Sequence, residues 1–304
     1  MGDYKENKGF RLLEIYERLN KGELLVKSDL CSIYKVSEKT IQRDIDDIRA
    51  YLQENHYSID ESSIVYDKNK KGYRLLKYQR NWFSNEETMA VCKILLESRA
   101  FCKEELDSLI DKLLEQSYPE NKKVIDNIIG NEKLNYVPLQ HGQKLLPRIW
   151  ELSEIITNKE RIVINYIRQD KKETIRDIKP VSIMFSEFYF YLIAYSTGSD
   201  IDIPIVYRID RIQKIEKTNE KFTIPYANKF QEGEFRKRVQ FMYAGELKRV
   251  KFEFSGPSLE AILDRLPTAE VVNKEGDKYI IIAESYGDGI DMWLRTQGEN
   301  VRVI

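Results

Sequence analysis

The chain has 304 residues, enough for two or three domains. Its 49 Lys/Arg and 50 Asp/Glu nearly cancel, to a formal charge of −1, which excludes bulk cationic attraction as a means of holding nucleic acid. No apolar run approaches the roughly 20 residues that span a membrane, and Met1-Gly2-Asp3-Tyr4-Lys5 lacks the apolar core of a signal peptide, so a cytoplasmic protein is expected.

In chain order, Gly9 to Leu19 predicts a helix with Phe10, Leu13, Ile15, Tyr16 and Leu19 on its apolar stripe. Asn20-Lys21-Gly22-Glu23 breaks it with turn chemistry. A short helix from Lys27 to Tyr34, with Leu30 and Ile33 inward, is separated by only Lys35 to Ser37 from a third helix. Two helices joined by so tight a turn form the helix-turn-helix signature, whose second helix lies in the major groove. Ser37 is placed to cap that second helix. Ile41, Ile45, Ile48 and Leu52 recur at steps of four, three and four and face a core, leaving Lys39, Thr40, Gln42 and Arg43 mostly off the stripe. Such side chains bond phosphates or read base edges; a solvated charged face is the plainer alternative. The acidic run Asp44-Ile45-Asp46-Asp47 would repel phosphates, so its carboxylates are expected to face away or to pair within the protein.

Tyr57 to Leu76 alternates as a hairpin, with Ile59, Ile64, Tyr66, Tyr73 and Leu75 at strand spacing and a turn at Lys68-Asn69-Lys70-Lys71-Gly72. Gly72 is expected to supply the positive φ. Lys68, Lys70 and Lys71 make the tip cationic and able to reach a phosphate backbone. These residues, about 8–77, resemble the winged helix-turn-helix of DeoR-type bacterial regulators, most closely in the run Ser37 to Ile45. The resemblance implies binding of double-stranded operator DNA by that helix.

Ser84 and Glu87 form a capping box for a helix to about Arg99, with Met89, Cys92, Leu95 and Leu96 apolar. A second helix runs from Lys103 to Gln116, and Pro119 is expected to end that pattern. A third, Lys144 to Thr157, carries Leu145, Leu146, Ile149, Trp150, Leu152 and Ile155. Cys31, Cys92 and Cys102 are widely spaced without a CxxC and read as free thiols, two of them on buried faces.

From Arg161 the period becomes two. Strands are predicted at Arg161–Tyr166, Thr174–Met184 (continuing past Pro180), Glu187–Tyr195 and Ile203–Ile215, a succession that suits a small antiparallel barrel. Residues 144–225 resemble a WYL domain: the naming triplet is Phe190-Tyr191-Leu192, and Lys179-Pro180 and Arg208-Ile209-Asp210-Arg211-Ile212 match further positions. The resemblance implies an Sm-like, SH3-type barrel that senses a nucleotide or single-stranded nucleic acid and couples it to DNA binding. It carries the ligand pocket onto Tyr191, Arg208 and Arg211, with Tyr166 and Tyr207 as weaker candidates. The family's further Arg, three positions before Arg208, is Ile205 here. For each Tyr, simple strand preference is the competing account. Asp210 reads as an internal partner for Arg208 or Arg211.

The last segment reads β-α-β-β-α-β: Val250–Phe254, a helix from Pro257 to Leu266, Glu270–Val272, Tyr279–Glu284, a helix from Gly289 to Thr296, and Asn300–Ile304. It resembles the C-terminal extension of WYL proteins, with Trp293-Leu294-Arg295 and Gly298 matching its end.

The expected fold class is therefore α+β and multidomain. A winged helix-turn-helix (1–80) is followed by a helical connector (81–143), an Sm-like/SH3-type β-barrel (144–228) and a ferredoxin-like extension (229–304). The expected function is a homodimeric, sequence-specific transcriptional regulator, with repression favoured, that is controlled by a nucleotide or nucleic-acid ligand. The alternatives are a module whose barrel mainly grips single-stranded nucleic acid, or a regulator of a phage-defence operon. His56 and His141 lie far apart, and no GxSxG, P-loop or dinucleotide fingerprint occurs, so no enzyme, metal or cofactor is expected.

Overall fold

Isoleucines at steps of four and three demand a helix with one buried side, and α3 (Glu38–Glu54) is that helix. Ile41, Ile45, Ile48 and Leu52 are all buried. It packs with α1 (Lys8–Asn20), α2 (Lys27–Tyr34) and a hairpin of β1 (Ser63–Asp67) and β2 (Gly72–Leu76) around one core. The computed structural model describes residues 7–54, 63–76, 83–115, 119–198, 203–224 and 229–304. His56 and the expected hairpin start at Tyr57–Ile59 lie outside the described residues.

The chain forms two compact units, Met1–Glu97 with Leu106–Tyr136, and Ser98–Glu105 with Val137–Ile304. It passes from one to the other three times.

In the first unit, α1 departs from its expected stripe. Its buried row is Arg11, Ile15 and Leu19, spaced four apart, which turns Phe10 and Leu13 outward. On α2, Tyr34 is buried in place of Ile33. Arg11 tolerates burial because Asp44 meets it with two bonds, Nε to Oδ2 at 2.6 Å and Nη2 to Oδ1 at 3.1 Å. Asp46 pairs with Arg49 at 2.8 Å and Asp47 with Lys8 at 2.7 Å, so the acidic run is engaged inside the protein.

The hairpin is tied to the rest at three points. Leu25 and Tyr73 exchange both backbone bonds at 2.8 Å. Arg49 Nε donates to the Ile64 carbonyl at 3.0 Å, and the Tyr73 hydroxyl donates to Gln42 Oε1 at 2.7 Å. The positive φ in the turn belongs to Lys71 (φ 52), not Gly72. Gly72 lets the Leu24 side chain pack closely: a Cβ there would lie 2.8 Å from Leu24 Cγ, and that side chain would have to shift.

Three helices complete this unit: α4 (Asn85–Ser98), most of α5 (Lys103–Glu115) and α6 (Pro119–Leu134). The capping box before α4 is present, with Ser84 N donating to Glu87 at 2.7 Å and Glu87 N to Ser84 at 3.1 Å. Pro119 opens α6 where it was expected only to end α5; at a first helical position its missing N–H costs no helical bond. All three cysteines are free, and of these only Cys92 is fully buried.

In the second unit, α7 (Leu146–Asn158) covers one face of a five-stranded antiparallel sheet of order β6-β5-β4-β3-β7. Its strands are β3 (Glu160–Ile167), β4 (Glu173–Ser186), β5 (Tyr189–Ser196), β6 (Ile205–Arg208) and β7 (Ile212–Lys221). Glu105 caps α7 by accepting from Leu145 N at 3.0 Å and Leu146 N at 2.9 Å, a favourable place for a carboxylate at a helix N-terminus. Leu152 and Ile155 enter the core, whereas Trp150 is 68% exposed. Pro180 sits at a register shift in β4, where its missing N–H breaks no regular ladder. The single strand expected over Ile203–Ile215 is interrupted by a 3-10 turn, Ile209–Arg211, between β6 and β7.

After α8 (Glu232–Arg238), the expected β-α-β-β-α-β order follows as β8 (Leu247–Phe254), α9 (Leu259–Arg265), β9 (Glu270–Glu275), β10 (Lys278–Tyr286), α10 (Gly289–Thr296) and β11 (Val301–Val303). The sheet order is β11-β8-β10-β9, antiparallel throughout. Pro257 precedes α9 instead of starting it, and Ser258 is the cap.

Asp44→Ala leaves Arg11 buried without its partner. Urea unfolding should show a loss of about 3–5 kcal/mol in this unit; a loss below about 1 kcal/mol would show that Arg11 finds water or another acceptor.

Candidate functional site

Two surfaces carry the expected site residues. On the first, Lys35 ends α2 in the left-handed conformation (φ 54), which lets three residues reverse the chain into α3. Ser37 caps α3, accepting from Thr40 N at 3.3 Å, and its hydroxyl lies 3.0 Å from that of Thr40. Ser37 and Thr40 thus shape the helix start. Lys39 and Arg43 are exposed, and neither has an ion pair among the described residues. Gln42 is committed elsewhere: its Oε1 accepts from Lys27 Nζ at 2.8 Å and from Tyr73, while Nε2 donates to Asp46 at 3.1 Å. Of the expected base readers, Arg43 and Lys39 are the ones left facing solvent.

Lys68, Lys70 and Lys71 are exposed at the hairpin tip. Asp67 folds that tip, its Oδ1 accepting from Asn69 N and Lys70 N at 3.0 Å each. Those bonds, the one from Lys70 foremost, hold the Asp67 carboxyl below its ordinary range.

The second surface is a cavity of about 380 Å³. Tyr166, Tyr191, Arg208 and Arg211 line it together. Alternation along β5 explains the first choice: Leu192 enters the α7 core, and Tyr191 points to the opposite face. Tyr191 pairs with Arg208 across β5 and β6, so both share that face. Tyr207 pairs with Leu192 and is buried in the α7 core, edge-on to Tyr166 at 5.1 Å; it does not line the cavity. The Tyr166 hydroxyl accepts from Arg208 N at 3.3 Å.

The two arginines differ. Arg208 donates to Asp210 through Nε at 3.0 Å and Nη2 at 2.7 Å, and its guanidinium lies 3.4 Å from the centre of the Tyr189 ring. Burial is the largest influence and works against its charge, but Asp210 and Tyr189 together outweigh it and the Arg208 pKa is raised. Arg211 has no ion pair among the described residues. Burial pushes the Tyr191 phenol up to about 12, so it remains a hydrogen-bond donor at neutral pH.

The remaining wall comes from residues outside the expected set. Arg168 and Gln169 come from the β3–β4 turn, and Phe241, Met242 and Tyr243 from the connection after α8. Phe241 (φ 49) and Met242 (φ 56) are consecutive left-handed residues, a conformation that costs of order 1–3 kcal/mol for each non-glycine. Close backbone packing holds them there. A Cβ on Gly289 would lie 2.0 Å from the Gln240 carbonyl oxygen, and one on Gly287 2.8 Å from those of Tyr243 and Ala244. The Gly287-Asp288-Gly289 turn was the visible signal, although nothing in it named its partner.

Residues 149–217 match the WYL domain. Among curated proteins none matches the chain. Solved structures similar to it include proteasome accessory factor B/C (PafBC) of Arthrobacter aurescens, at 15% identity and a TM-score of 0.30, covering 96% of this chain and 43% of that one. A CRISPR Cas-related protein is 14% identical with a TM-score of 0.36, covering 84% of this chain and 71% of that one. The chain thus spans less than half the length of the first of these.

His141 lies within electrostatic reach of Arg208, Asp210 and Glu105. Its Nδ1 accepts from Gln143 N at 3.1 Å, and its Nε2 is buried with no partner among the described residues. Burial, more than any neighbouring charge, lowers its pKa from 6.5. The unfolded chain therefore binds the extra proton first, and stability present above that value is lost as pH falls through it. Urea midpoints should drop between about pH 7 and about pH 5. His141→Asn should shrink the drop, and an equal drop in both chains would exclude His141 as its source.

Proposed function

We propose that this chain is a transcriptional regulator that binds double-stranded operator DNA as a homodimer, acts as a repressor and is controlled by a nucleotide or nucleic-acid ligand in its WYL domain. The observation that carries the reading is the cavity in which Tyr166, Tyr191, Arg208 and Arg211 converge, within residues that match the WYL domain. Arginines bind phosphate oxygens bidentately and aromatic faces stack bases.

In this reading the three helices and hairpin of the first unit are a DeoR-type winged helix-turn-helix, with α3 in the major groove and Lys68, Lys70 and Lys71 along the backbone. The five-stranded sheet is the Sm-like barrel, and the closing β-α-β-β-α-β segment is ferredoxin-like. The reading is of a bacterial, cytoplasmic protein and not an enzyme. Among the described residues no helix is long and apolar enough to cross a membrane. With a near-neutral chain, affinity depends on a few placed cations in two half-sites.

The test begins with duplex DNA that copurifies with the protein. In fluorescence titrations Arg43→Ala should weaken specific binding by about 1–3 kcal/mol with little effect on unrelated duplex. Unchanged operator affinity would remove Arg43 from the interface. Lys68→Ala and Lys71→Ala should weaken binding to all sequences and each lower the salt slope by about one. For the ligand response, Arg211→Ala is the cleaner variant, since Arg208→Ala would strand the Asp210 carboxylate. Arg211→Ala should keep DNA binding and lose its modulation by nucleotides or short oligonucleotides; retained modulation would contradict control through this cavity.

A further inference from the structure

The cavity is lined by two chemically different sets of side chains, cationic and aromatic. Arg211 and Arg168 supply its uncommitted positive charge: Arg208 is neutralised by Asp210, whereas Arg168 has only a loose 3.7 Å contact to Asp170 in its own turn. On the connection after α8, outside the stretch that matches the WYL domain, Tyr243 lines the same cavity with 45% of its surface exposed. Its backbone is anchored. Tyr243 N donates to the Gln240 carbonyl at 3.1 Å, Met242 is buried beside Met184 and Phe235, and the carbonyls of Gln240, Tyr243 and Ala244 abut Gly287 and Gly289 where no side chain would fit. A left-handed pair of bulky residues kept at a cavity wall is the kind of strain found where a fold must present one side chain in one place.

We propose that the cavity is divided into an anion subsite, Arg168 with Arg211, and a ring subsite at Tyr243, so that its occupant is a phosphorylated aromatic of nucleotide size. The volume of about 380 Å³ is near the lower end of small-molecule sites and suits one nucleotide, free or at the end of a strand. Tyr243 stacks the base and so selects for an aromatic ring; Arg168 restores a phosphate contact from the β3–β4 turn on a chain that has Ile205 where the resemblance implies an arginine. This division rests on the reading of the cavity as a nucleotide-type ligand site.

Isothermal titration calorimetry of the full chain tests it, with AMP, GMP, CMP and UMP, the matching nucleosides, and a mixed-sequence single-stranded oligonucleotide as probes. At least one nucleotide or the oligonucleotide should bind the unaltered chain, and whether the mononucleotide or the strand binds tighter identifies the source of the phosphate. Tyr243→Ala should weaken nucleotide and nucleoside alike by about 5- to 150-fold, the range of one base–aromatic stack, and Tyr243→Trp should restore binding. Arg168→Ala should weaken the nucleotide by about tenfold or more and leave the nucleoside unchanged. Unaltered-chain affinity in both Ala variants would overturn the two subsites while leaving the ligand reading standing. Failure of every probe to bind the unaltered chain would overturn the ligand reading, and the subsites with it. Tyr243 and Arg168 are exposed, so the variants keep the fold, which circular dichroism checks.

Discussion

Three residues join the two outermost strands of a five-stranded sheet. β6 lies at one end of the order and β7 at the other, and only Ile209–Arg211 lie between them. In a flat sheet those strands would be about 19 Å apart, at about 4.8 Å per strand. A three-residue 3-10 turn, rising about 2 Å per residue, cannot span that gap. The sheet must curl until its edges approach. The same turn sets the chemistry: in a continuous strand residues 208 and 211 would face opposite sides, but three residues per turn brings them to one side. Asp210, buried within the turn, holds Arg208 from beneath. A curled sheet with two arginines at its seam thus comes from one short turn and one ion pair.

What faces that seam depends on a second constraint, at the other end of the unit. The left-handed pair at Phe241 and Met242 is unfavourable by itself, and on either side of it the carbonyls of Gln240, Tyr243 and Ala244 pack against the glycine corner between β10 and α10. Met242 packs with the outer face of the sheet, and Phe241 with the core of the β-α-β-β-α-β segment. The connection is therefore a shared wall between two cores, and the cavity opens along it. The first unit shows the same economy: Arg11 and Asp44 bind α1 to α3, and Tyr73 and Arg49 bind the hairpin to α3, so the exposed Lys39 and Arg43 stand on a helix fixed from two sides.

Much of this was legible in the residues. Apolar residues at steps of four, three and four mark α3, a capping box marks the start of α4, and alternation marks the strands of the curled sheet. The failures have physical reasons. Phe10 and Leu13 are apolar but lie off the buried row of α1; Arg11 lies on it because a partner 33 residues away makes its burial tolerable. Tyr207 and Arg208 both match the family's pocket positions, but neighbours in a strand face opposite sides, and only Arg208 reaches the cavity. Pro119 reads equally as a helix stop or a helix start, and only the residues after it decide. Arg168 and Tyr243 were invisible because they meet the cavity through the curl of the sheet and a glycine corner, and neither is encoded locally.

The route of the chain between its two units has a practical consequence. It crosses after Glu97, again after Glu105 and again after Tyr136, the second time within the continuous helix α5. A nick at any one of these crossings leaves the units covalently joined by the other two. A fragment ending at Glu97 would carry α1, α2, α3, the hairpin and α4 short of its last residue but lack α6 and all of α5, which contribute the buried Leu106, Ile110, Ile125 and Ile129. The first unit is thus completed by chain that has already visited the second, and neither is separable by cutting the sequence in two.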